Sequence, residues 1–65
     1  MMFEIGDIWC WTRNSAEHPD DPNYNYFMIL DDEWGYGVLY LIDGRRVTYS
    51  KQTFTANLQY LEKVA

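Results

Sequence analysis

One imidazole and one thiol are the side chains of this sequence that could carry out catalysis. His18 lies between Glu17 and Pro19, two residues before Asp20, and Cys10 is the sole cysteine. An imidazole can take the proton of a thiol and make it a nucleophile, and together with carboxylates it can bind a metal ion. Two kinds of chemistry must therefore be considered, covalent catalysis and metal binding.

Neither kind of chemistry is favoured by the spacing of these residues. A nucleophile needs a base that a third group holds in place, and nothing near Cys10 supplies that arrangement. Cys10 shares a strand face with Ile8, as a small buried hydrophobic residue would. The acids around His18 lack the alternation of a calcium loop, and no glycine-rich loop leads into a helix to bind phosphate. We predict that the protein is not an enzyme and holds no metal or cofactor.

The aromatic side chains form a second pattern, which indicates binding. Trp9 and Trp11 alternate with Ile8 and Cys10, so the two tryptophans share one face of an extended strand. If Ile8 and Cys10 point into the core, both indole rings face outwards, where aromatic side chains are typical of interaction hot spots. In the alternative interpretation, Trp11 or Trp9 covers an open end of the barrel as part of a second small core. The predicted partner-binding aromatic residues are Trp9, Trp11, Tyr24, Tyr26, Trp34 and Tyr36.

Acidic residues are concentrated in the first half of the chain. Residues 1–35 contain eight acids and one base, and the whole chain has a formal net charge of −5. Binding to nucleic acid needs cationic side chains that displace counterions, so this charge disfavours a nucleic-acid partner. Carboxylates around an aromatic surface would instead add specificity for a protein partner. The predicted acidic rim consists of Asp20, Asp21, Asp31, Asp32 and Glu33.

Two segments that must position these residues are apolar on both faces of a strand. In residues 24–30, and again in residues 36–42, apolar side chains occupy almost every position. A strand in a small solvated sheet needs only one apolar face, and a chain of this length has only one core. The surplus apolar surface must therefore close a barrel tightly or contact a partner.

Turn-forming residues divide the first half of the chain into short strands. Gly6 predicts a bend or bulge within a first strand at residues 3–11. Residues 13–23 contain two prolines and several Asn and Asp residues, and they predict a long loop. Residues 31–35 predict a charged turn in which Gly35 is free to adopt a positive φ.

The second half predicts a hairpin, a helical turn and a last strand. Asp43-Gly44 between apolar flanks is typical of a type I′ hairpin turn. A fourth strand follows at residues 45–50, and residues 51–54 fit a single helical turn. Residues 58–61 are compatible with a strand or a C-terminal helix. The strand is favoured because five strands close a barrel and four leave exposed edges.

This order of elements resembles the Src-homology-3-like small barrel. The long loop, the charged turn, the hairpin and the helical turn all have counterparts in that fold. Residues 3–8, with the sequence FEIGDI, are similar to the F-x-x-G-D-[IV] opening found in Tudor-like, ribosomal KOW-type and toxin-type barrels. In that pattern the glycine permits a bend and the acid caps a turn. The resemblance implies an all-β fold, a small five-stranded barrel with a long first loop and a short helical turn before the last strand.

Length and cysteine content restrict the class of protein further. Sixty-five residues predict a single domain, residues 1–65, and a single cysteine excludes an intramolecular disulfide. The sequence shows no charged-then-apolar leader and no apolar run long enough to span a membrane. We therefore expect a cytoplasmic protein.

The leading hypothesis is a non-catalytic protein-binding module, of a size that suits a small bacterial or phage-encoded modulator of a larger host protein. One alternative is a self-assembling structural protein, a homo-oligomer that buries its surplus apolar face between copies. Another is an acidic mimic that occupies a nucleic-acid site. Direct nucleic-acid binding through Arg45, Arg46 and Lys51 is disfavoured by the net charge. The sequence leaves open whether the aromatic residues form a cage, a flat patch or the core.

Overall fold

A computed structural model describes residues 3–13, 19–31 and 35–65 of the chain. Within these residues, strands account for most of the regular structure. The strands are β1 Ile8–Trp11, β2 Tyr26–Leu30, β3 Tyr36–Tyr40, β4 Arg46–Tyr49 and β5 Leu61–Lys63. In this described part of the chain, one α-helix, α1 (Lys51–Ala56), and two 3₁₀ turns, Pro22–Asn25 and Leu58–Tyr60, complete the regular elements.

All five strands form one antiparallel sheet in the order β4-β3-β2-β1-β5. The register places Trp9 opposite Phe27, and Phe27 opposite Tyr40. Consecutive strands are neighbours in this order except for β5, which pairs with β1 after the short helix. The predicted all-β fold, with five strands and a helical turn before the last one, is confirmed.

The sheet curls until side chains of distant strands meet. Trp11 on β1 and Tyr49 on β4 are separated by two strands in the sheet, yet their ring centroids are 6.0 Å apart. Phe54 of α1 is fully buried, and its ring stacks on Tyr36 and Tyr49 with centroid distances of 4.9 and 5.5 Å. The helix therefore plugs the space enclosed by the curled sheet, and the sheet's outer face is convex.

Alternation along the strands separates an inner face from an outer one. On β2, Phe27 and Ile29 are buried, while Tyr26, Met28 and Leu30 are only half-buried. Large aromatic side chains fill most of the core, as a domain this small requires. The buried hydrophobic residues are Phe3, Trp9, Phe27, Ile29, Val38, Tyr40 and Phe54.

The second strand begins two residues later than the sequence pattern predicts. Tyr24 lies in the 3₁₀ turn Pro22–Asn25, where the Asp21 side chain accepts a hydrogen bond from the backbone N–H of Asn23. Proline at the first helical position and a capping aspartate both favour a helical turn. These local interactions override the strand preference of Tyr24.

The hairpin between β3 and β4 forms as predicted, but with a different turn. Gly44 has a φ of +71°, whereas Asp43 does not have a positive φ, and a type I′ turn requires positive values at both central positions. The connection instead has four residues, 41–44, closed by a hydrogen bond from the Tyr40 N–H to the Arg45 carbonyl. Leu41 and Ile42 therefore leave the strand and are exposed at the turn.

Two glycines have different structural roles. Gly6 has a φ of +91° in the bend before β1, where the Asp7 carboxylate accepts a hydrogen bond from the Glu4 N–H. The bend at glycine and the capping acid are thus confirmed. Gly35 does not adopt the positive φ that the sequence analysis allowed for it. A Cβ atom at Gly35 would instead collide with the backbone carbonyl of Tyr49.

The C-terminal segment combines the two predicted conformations. Ser50 caps α1 by accepting a hydrogen bond from the Thr53 N–H at 3.1 Å. The helix runs two residues beyond the predicted turn, and Leu58–Tyr60 form a 3₁₀ turn. The favoured strand then forms at Leu61–Lys63, paired with β1.

Candidate protein-binding surface

Trp9 faces the core, which reverses the predicted orientation of the first strand. Trp9 is only 7% exposed, and the centroid of its ring lies 4.6 Å from the centroid of the Phe3 ring. Its indole N–H donates a hydrogen bond to Asp7 Oδ2 at 3.4 Å. The surface of Trp9 that a partner could contact is therefore small.

Trp11 also points inwards, and it takes part in a polar network at the edge of the core. Its indole N–H donates to the Tyr40 hydroxyl at 3.2 Å, and that hydroxyl is hydrogen-bonded to the Tyr49 hydroxyl at 2.8 Å. Burial, followed by this hydrogen bond, raises the pKa of Tyr49 well above its usual range. Trp11 is thus half-buried structural support for the core.

The phase of β1 follows from the size of its side chains. A strand can face the core in only two ways, because shifting the strand by one residue moves every side chain to the opposite face. Two indoles bury far more apolar area than isoleucine and cysteine, so the phase with Trp9 and Trp11 inside fills the core better. Ile8 and Cys10 consequently lie on the outer face, where both are half-buried.

The Cys10 thiol lies in an environment that disfavours its ionisation. Partial burial raises the pKa of Cys10, and the neighbouring Glu62 carboxylate raises it further. A thiolate is the reactive form of cysteine, so Cys10 stays protonated at neutral pH. The predicted burial of Cys10 is nevertheless wrong, because the residue lies on the outer face and is only half-buried.

The outer face of the sheet carries a continuous group of apolar side chains. The register places Ile8 opposite Met28, Met28 opposite Leu39, and Cys10 opposite Tyr26. A hydrogen bond from the Val64 N–H to the Ile8 carbonyl adds Val64 to the row of Ile8 and Met28. Another, from the Leu41 N–H to the Tyr26 carbonyl, adds Leu41 to the row of Cys10 and Tyr26. We call this group the outer-face patch, which comprises Ile8, Cys10, Tyr26, Met28, Leu30, Leu39, Leu41 and Val64.

The outer-face patch is accessible, most of all at its ends. Val64 is 51% exposed and Leu41 is 48% exposed, while the patch residues on the strands are half-buried. Ile42, next to the patch in the hairpin turn, is 44% exposed. Single exposed apolar side chains are ordinary on proteins, but a contiguous group on one sheet face is typical of an interaction surface.

A shallow pocket lies beside the outer-face patch. It has a volume of about 440 Å³ and is lined by Asn23, Tyr26, Leu41 and Ile42. The 3₁₀ turn supplies one wall and the hairpin turn supplies the other. A pocket of this kind can receive an apolar side chain of a partner.

A second depression lies at the other end of the sheet and has a mixed character. It has a volume of about 350 Å³, and its lining includes the apolar residues Ile5, Leu30 and Tyr36 together with Asp31 and Lys51. Its charges are of both signs, so it has no clear electrostatic preference for a ligand.

The predicted site residues do not form a single site among the described residues. Tyr26 lies in the outer-face patch, whereas Tyr36 packs against Phe54 on the inner face, and Tyr24 is half-buried in the 3₁₀ turn. Asp20 and Asp31 are exposed. The capping residue Asp21 holds the 3₁₀ turn. The predicted residues Asp32, Glu33 and Trp34 lie outside the described residues, as do Glu17 and His18.

Sequence reasoning located the surplus apolar surface but not the side on which it lies. The double-faced pattern of residues 24–30 and 36–42 gave the signal, and it includes Met28, Leu39 and Leu41. Ile8, Cys10 and Val64 were missed, because Ile8 and Cys10 were expected inside the core and Val64 follows the last strand.

Metal ions and membranes have no recognisable site in the described part of the chain. Residues 3–13, 19–31 and 35–65 hold no group of three or more His, Cys, Asp or Glu side chains that could bind a metal ion. Over the same residues, no helix has the length and apolar character needed to cross a bilayer. Searches of family models, curated proteins and solved structures found no match to this chain.

Proposed function

We propose that this chain is a non-catalytic protein-binding module and that its binding surface is the outer-face patch. The observation that supports this proposal is the apolar character of both sheet faces. Phe27 and Val38 on the inner face are fully buried, while Met28 and Leu39 beside them lie on the outer face and are only half-buried. A second protein that covered the patch would remove this apolar surface from water.

The charges around the patch favour a protein over a nucleic acid. The net charge is −5, and among the described residues of the paired strands Arg46, at the β4 edge, is the cation on the outer face of the sheet. A nucleic-acid partner would need several cations on one surface. A protein interface has an apolar centre with charges at its rim, and the outer-face patch has this arrangement.

Site-specific photo-crosslinking tests the proposal. A benzophenone amino acid replaces Leu41 in the patch, and in a matched control it replaces Gln59, which is exposed in the second 3₁₀ turn. In host cells, we expect crosslinks to protein from position 41 and none from position 59. Equal crosslinking from both positions, or none from position 41, would contradict the proposal. The mass of the product shows whether the partner is another protein or a second copy.

A further inference from the structure

We infer that the partner of the outer-face patch is a peptide segment of another protein in which an apolar side chain lies close to basic side chains. It would bind in a groove that crosses one end of the patch. This inference rests on the proposed function, because it names the chemistry of the partner for the same surface. It is supported by the apolar lining of the groove, the acids beside it and the position of the bases elsewhere in the chain.

Two depressions that share Tyr26 form this groove, which we call the turn groove. One is the pocket of about 440 Å³ between the first 3₁₀ turn and the hairpin turn, and the other is a smaller depression of about 130 Å³. The 3₁₀ turn Pro22–Asn25 contributes residues to both linings. The other apolar lining residues are Leu41 and Ile42 in the larger depression and Cys10 and Trp11 in the smaller one.

The turn groove follows one row of side chains across the outer face. Leu41 is hydrogen-bonded through its backbone to Tyr26, which lies opposite Cys10. Cys10 in turn lies opposite Glu62 on β5. Neighbouring strands are about 4.8 Å apart, so the row from Leu41 to Glu62 is roughly 14 Å long, the length of about four or five extended residues. A peptide can bend over this convex face, whereas the flat face of a folded protein would contact little of it.

Acids lie beside the turn groove and at the end of the row. Asp21 accepts a hydrogen bond from the backbone N–H of Asn23 at 3.0 Å, which places its carboxylate against the 3₁₀ wall. Asp43 is exposed and directly follows Ile42 of the opposite wall. Within the described part of the chain, neither these two acids nor Glu62 forms an ion pair. Their charges are therefore available to basic side chains of a partner.

The five bases of the chain all belong to the described residues, and none of them lines the turn groove. Arg13 and Arg45 each stack on a tyrosine ring, and Arg46 donates a hydrogen bond to a backbone carbonyl. Lys63 forms an ion pair with an aspartate, and Lys51 lies on α1. Charge complementarity thus favours a basic partner, and it disfavours a second copy of this acidic chain.

Selection from a random peptide library tests this chemistry. Short peptides displayed on phage are selected on the immobilised full chain. We expect the enriched sequences to contain an apolar residue with Lys or Arg residues within about five positions of it, which is the length of the row. Enrichment of acidic or uncharged sequences, or no enrichment over a surface without the protein, would overturn the inference.

The affinity of one enriched peptide, labelled with fluorescein, then locates the site. In fluorescence anisotropy, Leu41→Ser should weaken binding by about tenfold, and Asp43→Asn and Glu62→Gln by about threefold each. Asp31→Asn removes the same charge at the other end of the sheet and should have little effect. Circular dichroism checks that each variant is folded. Equal losses for Asp31→Asn and Asp43→Asn would mean that only the general negative charge attracts the peptide, and would overturn the assignment to the turn groove.

Photo-crosslinking from position 41 separates this inference from the proposed function. Crosslinks to a basic segment of another protein would support both. Crosslinks to an acidic or uncharged segment, or to a second copy of the chain, would overturn the inference and leave the outer-face patch as the binding surface.

Discussion

The two faces of the sheet have nearly the same apolar character but differ in how deeply their side chains are buried. Phe27 and Val38 are completely buried on the inner face, whereas Met28 and Leu39 beside them are only half-buried on the outer face. In most small antiparallel sheets the outer face is polar. The comparison shows that hydrophobic pattern alone does not assign a residue to the core, because here the same pattern serves both folding and a proposed interface.

The largest expected difference in stability between variants of the two faces is on β1. Trp9→Ala should destabilise the fold by about 3–5 kcal/mol, because it leaves a large cavity in the core. Ile8→Ala, on the outer face of the same strand, should cost about 1 kcal/mol. Urea unfolding at low protein concentration measures both values. Equal losses would contradict the assignment of the faces. A domain of this size has little stability to spare, so the tryptophan variant should be largely unfolded.

Gly35 offers a comparison with a glycine on the surface. Gly35→Ala should destabilise the fold by roughly 2 kcal/mol or more, since the new Cβ would collide with the Tyr49 carbonyl and separate the backbones. Gly44→Ala has open space around it and should cost only about 1 kcal/mol, for the strained positive φ. Thermal unfolding of both variants ranks the two effects. A larger loss for Gly44→Ala would contradict the close approach at Gly35.

The tyrosine pair on the inner face predicts a pH dependence. The pKa of Tyr49 is raised in the folded state, so folding favours the protonated phenol. This contribution is complete below the unfolded-state pKa of about 10 and is lost as pH rises above it. The melting temperature should therefore fall more steeply above about pH 10 in the wild type than in Tyr49→Phe. Parallel curves would contradict this role of Tyr49.

At neutral pH, Tyr49→Phe measures how much the hydrogen bond between the Tyr49 and Tyr40 hydroxyls contributes to stability. Tyr49→Phe removes the partner of the Tyr40 hydroxyl, which keeps its bond from the Trp11 indole N–H. We expect a loss of about 1 kcal/mol in urea unfolding. A loss of more than about 3 kcal/mol would contradict this, because it would mean that the packing of the ring at position 49 had also changed.

The smallest effect on stability should come from the outer-face patch. Leu41→Asp lies in an exposed turn and should change the free energy of unfolding of the monomer by less than about 0.5 kcal/mol. Chemical unfolding at a concentration where the chain is monomeric checks this value. A large loss would show that Leu41 supports the fold itself and would remove the contrast between the two faces.

Much of the fold could be predicted because its signals are local. Gly6 and Asp7 form the predicted bend, Gly44 is in the predicted hairpin, and α1 begins next to Ser50, which caps it. Alternation in residues 24–30 and 36–42 correctly indicated β2 and β3. The errors at the strand ends were also local in origin. The prolines and Asp21 delay β2, and the four-residue connection replaces a tight turn.

The candidate site was less predictable than the fold. The expected aromatic surface depended on the phase of the first strand, and the structure turns Trp9 and Trp11 to the core. Tyr26 is the member of the predicted aromatic set that the structure places in the outer-face patch. The rest of the patch is aliphatic or contains sulfur, which is why an argument based on aromatic residues did not find it.

The sequence by itself determined the first four strands and their order along the chain, the bend, the helical turn and the surplus of apolar surface, and it favoured a fifth strand at the end. These follow from backbone preferences and from alternation over a few residues. Only the tertiary structure decided which face of each strand lies inside. Because side chains alternate along a strand, either set can face the core, and the local sequence favours neither. Contacts between distant residues decide which set is buried. Trp11 meets Tyr49 and Phe54 only when the sheet has curled, so no local pattern could show which side would remain exposed.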